Sequence, residues 1–365
     1  MKWHFVPSFQ LRSEMPRLLS TRLIIPRTCF STYKLPGLFT AQQPAHLTKF
    51  PISRLLPQFP LPNISKMSTK SAAAASHNEL NRISLFDMKG RVALVTGAGS
   101  GIGLMATQAL AVNGAKVYIV GRTAEKLDKV VSTYNKDIEG EIIALTADVT
   151  DKSSVASLVE EISSREKCLC ILINNAGVSS ASLTSESSSA TEMKQNLFDT
   201  SNTTLEDWTS TYATNVASTF FMTTAFLPLL AASTERHPGW SGTVINISSI
   251  SGLVKSAQHH FSYNASKAAA AHLTRMLAAE IAENELKIRV NSIAPGVFPS
   301  EMTAEDSDEF QKSHVPSEKY AQKVPAARPG RDVDMAQAVL MFAANQYLNG
   351  QVLAVDGGYT LAAGL

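Results

Sequence analysis

Arg91-Val-Ala-Leu-Val-Thr-Gly-Ala-Gly-Ser-Gly-Ile-Gly103 decides the architecture of this chain. Residues 91–95 form a short β-branched run, and Leu104–Val112, directly after the glycines, reads as a helix. A glycine-rich turn between strand and helix suits a phosphate. Glycine lets the backbone approach it, and the helix N-terminus presents unpaired N–H groups and the positive end of its dipole. Gly97, Gly101 and Gly103 are spaced G-x-x-x-G-x-G rather than G-x-G-x-x-G, so the turn alone reads equally well as a tight bend. Its place after the first strand and at the opening of the first helix gives it meaning.

The same alternation continues outward from that turn. Strands are expected at Lys116–Val120, Glu141–Leu145, Leu169–Ile173, Gly242–Ile247, Lys287–Ile293 and Gln351–Val355. Helices are expected at Ala124–Tyr134, Lys152–Ser164, Leu205–Ala231, Ala265–Glu283 and Asp332–Ala344. Strands separated by helices imply crossover units and a parallel sheet, and the nearly continuous apolar runs suit strands buried on both faces. Residues 89–365 therefore read as a single α/β domain, a doubly wound Rossmann-type sheet with helices on both faces. The Ser/Thr-rich stretch 178–204 reads as a solvated loop inserted in that domain. Pro295–Pro329 reads as an acidic, irregular or helical insertion, with 297–329 a lid over the substrate and the acidic run Glu301–Glu309 its helix.

The net charge of +2 hides an asymmetry. Residues 1–66 carry Lys2, Arg12, Arg17, Arg22, Arg27, Lys34, Lys49, Arg54 and Lys66 against the single acid Glu14, leaving the remainder net acidic. An acidic body argues against nucleic-acid binding, and no apolar run reaches membrane-spanning length. The arginine-rich, acid-poor stretch 1–66 reads as a leader, either a mitochondrial transit peptide or sequence preceding a cytosolic start at Met67. Matrix and cytoplasm are equally compatible with it, and 67–88 is a polar lead-in. Of the three cysteines, Cys29 is in the leader, while Cys168 and Cys170 share one face of an expected strand. With no C-x-x-C and no neighbouring histidine cluster, they indicate a reducing compartment and no metal site.

Tyr263-Asn-Ala-Ser-Lys267 is the stretch with chemistry to offer. Helical spacing puts Tyr263 and Lys267 on one face. An ammonium about 4 Å from the phenol, at an effective dielectric near 20, would favour the phenolate by about 4 kcal/mol. Tyr263 then becomes a general acid or base.

In order, Thr96-Gly-Ala-Gly-Ser-Gly-Ile-Gly103, Asn174-Asn-Ala-Gly177, Asn215, Ser249, Tyr263-x-x-x-Lys267 and Pro295-Gly296 resemble the short-chain dehydrogenase/reductases of the classical type over roughly residues 85–360. The resemblance implies four catalytic positions. Tyr263 exchanges a proton with the substrate oxygen, Ser249 orients that oxygen, Lys267 lowers the phenol pKa and holds the nicotinamide ribose, and Asn215 anchors a water-linked proton path. It also implies dinucleotide contacts from Gly97, Ser100, Gly101, Ile102 and Gly103, from Asp148 and Val149, from Asn175, Ala176 and Gly177, from Tyr263 and Lys267, and from Pro295, Gly296, Val297 and Ser300. Arg122 directly follows the second strand, where an acid would grip a ribose 2′-hydroxyl and an arginine would meet a 2′-phosphate, so NADP(H) is expected over NAD(H). A homodimer or homotetramer joined through Leu205–Ala231 and Ala265–Glu283 is the assembly the family implies.

Ser249 and Tyr263 are fourteen residues apart, one more than is usual in that family, and Ser300 stands where a threonine is common. With Val-Ile-Asn-Ile-x-Ser at 244–249, these features look like the rhamnolipid-type β-ketoacyl reductases and their fungal relatives. The expected activity is NADPH-dependent reduction of a ketone, with a 3-oxoacyl thioester among the substrate classes. An NAD-linked secondary alcohol dehydrogenase and a non-catalytic NADP-binding scaffold are the alternatives. The adjacent His259 and His260 point apart and have no third partner in the sequence, so they are not expected to bind a metal.

Overall fold

The computed structural model describes residues 69–304 and 306–364. The leader, Met67 and Cys29 lie outside them. Seven strands, β1 Val92–Thr96, β2 Lys116–Gly121, β3 Glu141–Thr146, β4 Ile171–Asn174, β5 Gly242–Ile247, β6 Ile288–Pro295 and β7 Val352–Val355, form one sheet in the order β3-β2-β1-β4-β5-β6-β7. Every pairing is parallel, with Ala93 opposite Val117 on one side and Ile171 on the other. The order reverses between β1 and β4. That switch point opens a crevice beyond the strands' carboxyl ends, where doubly wound sheets bind their ligands.

The helices are α1 Thr69–Leu80, α2 Arg82–Phe86, α3 Gly101–Val112, α4 Ala124–Tyr134, α5 Lys152–Arg165, α6 Ala190–Lys194, α7 Leu205–Tyr212, α8 Ser218–Ala225, α9 Leu227–Arg236, α10 Phe261–Glu283, α11 Glu301–Ala304, α12 Asp332–Ala344 and α13 Tyr359–Ala363. Successive strand residues feed opposite layers, as a period of two requires. Ala93 and Val95 pack with Leu104 and Leu110 of α3, Leu127 of α4 and Val339 and Phe342 of α12. Val92 and Leu94 pack with Val155 and Ile162 of α5, Met222 of α8 and Leu277 and Ile281 of α10. The expected single domain with both sheet faces covered is the one observed. Central strands β1, β4, β5 and β6 are buried throughout, whereas the edge strands β3 and β7 are partly open.

Five expectations are corrected. The segment expected as one helix, Leu205–Ala231, is broken into α7, a π-helical turn at Ala213–Ala217, α8 and α9. Pro228 lies in the first turn of α9, where its missing N–H and fixed φ start a helix but could not continue one. The polar lead-in holds α1 and α2, the latter capped by Asn81 Oδ1 accepting from the Ile83 and Ser84 amides. In the stretch expected as loop, α6 forms behind a Ser189 cap and runs into a second π-helical turn, Gln195–Asp199. Among its described residues the acidic run Glu301–Glu309 is helical only over α11, a 3-10 turn at Ser317–Lys319 follows in the lid, and β4 begins at Ile171, leaving Cys168 and Cys170 just ahead of the strand. Among the described residues no single helix is long and apolar enough to cross a membrane.

Candidate active site

The glycine turn is shaped by close approach. Gly97 has φ +64°, and a Cβ there would lie 2.8 Å from Ala176 Cα; one on Gly103 would lie 2.3 Å from the Gly97 carbonyl. Thr96 and Asn175 pin the turn to β4. The Thr96 hydroxyl accepts from the Asn175 and Ala176 amides, both at 3.0 Å, and Asn175 Nδ2 donates to the Thr96 and Gly97 carbonyls, both at 2.9 Å. Ser100 precedes α3 without capping it through its side chain, so the helix's first N–H groups remain open to an anion. The turn therefore offers close backbone on one side and uncapped amides with a dipole end on the other, a shape and charge that suit a phosphate.

From that turn a groove of about 410 Å³ runs across the switch point. Of the positions expected to contact cofactor or substrate, Gly97, Ser100, Gly101, Ile102, Arg122, Asp148, Val149, Asn175, Ala176, Gly177, Ser249, Tyr263, Lys267, Pro295, Gly296 and Ser300 line it. Gly103, Val297 and Asn215 do not. Gly103 sits behind the turn, and the Val297 carbonyl instead accepts from the Gly330 amide at 2.8 Å. Sequence reasoning missed Lys126 and Glu301, which also line the groove and pair at 2.7 Å between α4 and α11. It missed Thr96 as well, whose signal was its place as the last residue of β1.

Tyr263 lies in the first turn of α10, and Lys267 one turn on is 4% exposed. Lys267 Nζ donates to the Ile247 carbonyl at 3.0 Å and stands 5.7 Å from the centre of the Tyr263 ring. Burial lowers the Lys267 pKa to about 8. Lys267 is not among the influences that move the phenol pKa in the cofactor-free structure. Burial raises the Tyr263 pKa, and the counteracting influence is its hydrogen bond with Ser249. Desolvation outweighs that influence. Ser249 also caps the short 3-10 turn Ile250–Gly252, accepting from the Ser251 amide at 3.1 Å.

Asn215 is buried in the π-helical turn between α7 and α8. Its amide grips the Val178 backbone from both sides, accepting from N at 2.9 Å and donating to O at 3.0 Å, and donates to Ser266 Oγ at 3.0 Å. Gly177 fills the gap between Asn215 and Lys267. A Cβ on it would lie 3.1 Å from Asn215 Oδ1 and 3.3 Å from Lys267 Nζ. Asp148 is held ionised chiefly by the Thr150 hydroxyl and amide, with Arg122 a smaller influence, and lines the groove with Arg122. The histidines before α10 serve the inserted stretch. His259 Nδ1 lies 3.2 Å from the Leu183 carbonyl, and His260 Nδ1 lies 3.2 Å from that of Ser180.

A Tyr–Lys pair on a helix, a serine lining the same groove, and a glycine turn at the switch point form the constellation of one enzyme class. The family model for short chain dehydrogenases matches residues 91–311, and the chain belongs to that family. It is 37% identical over 281 residues to the short-chain dehydrogenase/reductase PhomF of Diaporthe leptostromiformis, covering 75% of this chain and 92% of that one. It is 34% identical over 279 residues to the rhamnolipids biosynthesis 3-oxoacyl-[acyl-carrier-protein] reductase of Pseudomonas aeruginosa, covering 76% and 98%. Among solved structures it resembles the Pseudomonas aeruginosa RhlG/NADP active-site complex, with TM-score 0.61 and 32% identity over 75% of this chain and 98% of that one. The protein is an NAD(P)-dependent oxidoreductase.

Proposed function

We propose that the protein is an NADPH-dependent ketone reductase in which Tyr263 is the proton donor. The observation that carries this reading is that Ser249, Tyr263 and Lys267 line one groove together with Arg122 and the glycine turn. When bound, the nicotinamide supplies hydride to the carbonyl carbon. Ser249 and Tyr263 present two hydroxyls to one point, so a carbonyl oxygen placed there meets two donors and its developing negative charge is stabilised without reorganisation. Burial keeps the phenol protonated at neutral pH, which suits an acid. Lys267, cationic below about pH 8, compensates the phenolate left after transfer and is placed to hold a ribose hydroxyl. Asn215 holds the Val178 backbone and Ser266 in place beneath it.

Arg122, Thr123 and Lys126 line the adenosine end with no acid at the close of β2, which supports a 2′-phosphate. The resemblance to a 3-oxoacyl reductase supports a 3-oxoacyl thioester or similar ketone. The acid-poor leader supports mitochondrial import, and a start at Met67 a cytosolic chain. The half-exposed Phe220, Phe221 and Met276 on α8 and α10 support a homodimer or homotetramer. Initial rates of NADPH and NADH oxidation with acetoacetyl-CoA and small ketones test the reading. NADPH-selective turnover is expected. A strong NADH preference unaffected by Arg122→Ala would replace it with the alcohol dehydrogenase reading.

A further inference from the structure

Cys168 and Cys170 precede β4 at the amino edge of the sheet, the end opposite the groove. Both are buried, at 7% and 0% exposure. The fold brings His237, at the C-terminus of α9, against them. Cys168 Sγ lies 3.8 Å from His237 Nε2, and the three donor atoms of Cys168, Cys170 and His237 all lie within 4.8 Å of one another. A tetrahedral zinc with bonds of about 2.3 Å to sulfur and about 2.0 Å to nitrogen places its donors about 3.5–3.8 Å apart. The Cys168–His237 separation already matches, and the remaining pairs need close by no more than about 1 Å.

The backbone holds this arrangement from several sides. Leu169 N donates to Leu229 O, Cys170 N to Val92 O, Thr243 N to Cys170 O and Trp240 N to His237 O. Arg91 Nε, Ser233 Oγ, Trp240 Nε1 and Thr243 Oγ1 are buried without hydrogen-bond partners among the described residues. Ser233 is one helical turn before His237, and the Arg91 guanidinium lies 4.4 Å over the Trp240 ring. Buried donors without acceptors are costly.

We infer that Cys168, Cys170 and His237 bind one thiophilic divalent cation of the Zn²⁺ class. Two thiols lose their protons on binding, so the two thiolates balance the charge of the ion, and His237 donates through Nε2 as neutral imidazole. His237 is partly exposed and marks both the entry side and the open fourth position, which a water fills. The ion ties the end of α9 to the start of β4. It takes no part in chemistry at Tyr263, which stands beyond the opposite edge of the sheet.

The test uses the full chain carrying Cys29→Ser, so that no other thiol contributes. Chelator-treated, reduced protein is titrated with Zn²⁺ and with Cd²⁺, and read by native mass spectrometry, by the thiolate–Cd²⁺ ultraviolet band and by melting temperature. Expected are one cation per chain, a thiolate band that saturates at one equivalent, and a higher melting temperature. His237→Ala should weaken binding at least tenfold while leaving NADPH affinity unchanged. Cys168→Ser and Cys170→Ser should each abolish the band. Because His237 is partly exposed, its variant keeps the test sound if a cysteine variant fails to fold. No stoichiometric cation, or a His237→Ala protein binding as tightly as its parent, would overturn the inference.

Discussion

Lys267 bears the clearest physical tension in the molecule, an ammonium buried at 4% exposure with one carbonyl partner recorded at its Nζ. Its pKa falls to about 8 from 10.5 because burial disfavours the charged form. Below about 8 both folded and unfolded chains hold the proton. Between about 8 and 10.5 the unfolded chain binds more, so this residue's contribution to stability rises with pH there. Cofactor-free wild type should therefore gain stability relative to Lys267→Met across that window. Urea melts at several pH values check it, and a flat or falling difference would contradict the assignment. Gly177 makes a second prediction. Gly177→Ala adds a methyl between Asn215 and Lys267 and should cost about 1–3 kcal/mol of stability and lower kcat more than it raises KM for the ketone. Arg122→Ala removes a charge-assisted contact of about 1.5–3 kcal/mol, so KM for NADPH should rise about 10- to 100-fold while KM for NADH stays put.

At the scale of elements, α4 and α12 have their expected bounds at both ends, α10 begins four residues ahead of its expected start so that Tyr263 lies inside it, and the α7–α9 region is where sequence and structure part. Helical spacing placed Tyr263 and Lys267 on one face because burial follows the helical period, through Ser266, Lys267, Ala270 and Ala271. The central strands were legible for a similar reason: buried on both faces, they are apolar runs whatever their neighbours. The π-helical turn that carries Asn215 was not legible, because nothing in Tyr-Ala-Thr-Asn-Val distinguishes a widened turn from an ordinary one. Such turns often mark functional positions. The cluster of Cys168 and His237 was also hidden, since its members are 69 residues apart and meet only when α9 folds back beside β4. Arg289 in β6 supplies an element-scale prediction. Its guanidinium donates to the Phe342 and Ala343 carbonyls in the last turn of α12 and to Ser241 Oγ. Arg289→Leu strips those partners and should destabilise the fold by about 3 kcal/mol without altering dinucleotide affinity. Thermal melts and a fluorescence titration separate the two effects.

At the scale of the whole molecule, one sheet divides the labour. Its carboxyl edge carries the glycine cradle, Ser249 and the Tyr263–Lys267 face, and its amino edge carries packing and the sulfur–imidazole cluster. Apolar side chains on α8 and α10 remain half-exposed, among them Phe221 and Met276. Phe221→Glu should reduce the assembly to a smaller species by light scattering if these helices join the subunits. Unchanged mass would place the interface elsewhere. The central claim is that Tyr263 supplies the proton. Its most direct test compares wild type and Tyr263→Phe for NADPH oxidation with a turned-over ketone, with NADPH affinity measured on both. Turnover should fall by about 10²–10⁴ with affinity within a few-fold of wild type. Near-normal turnover in Tyr263→Phe would contradict the account.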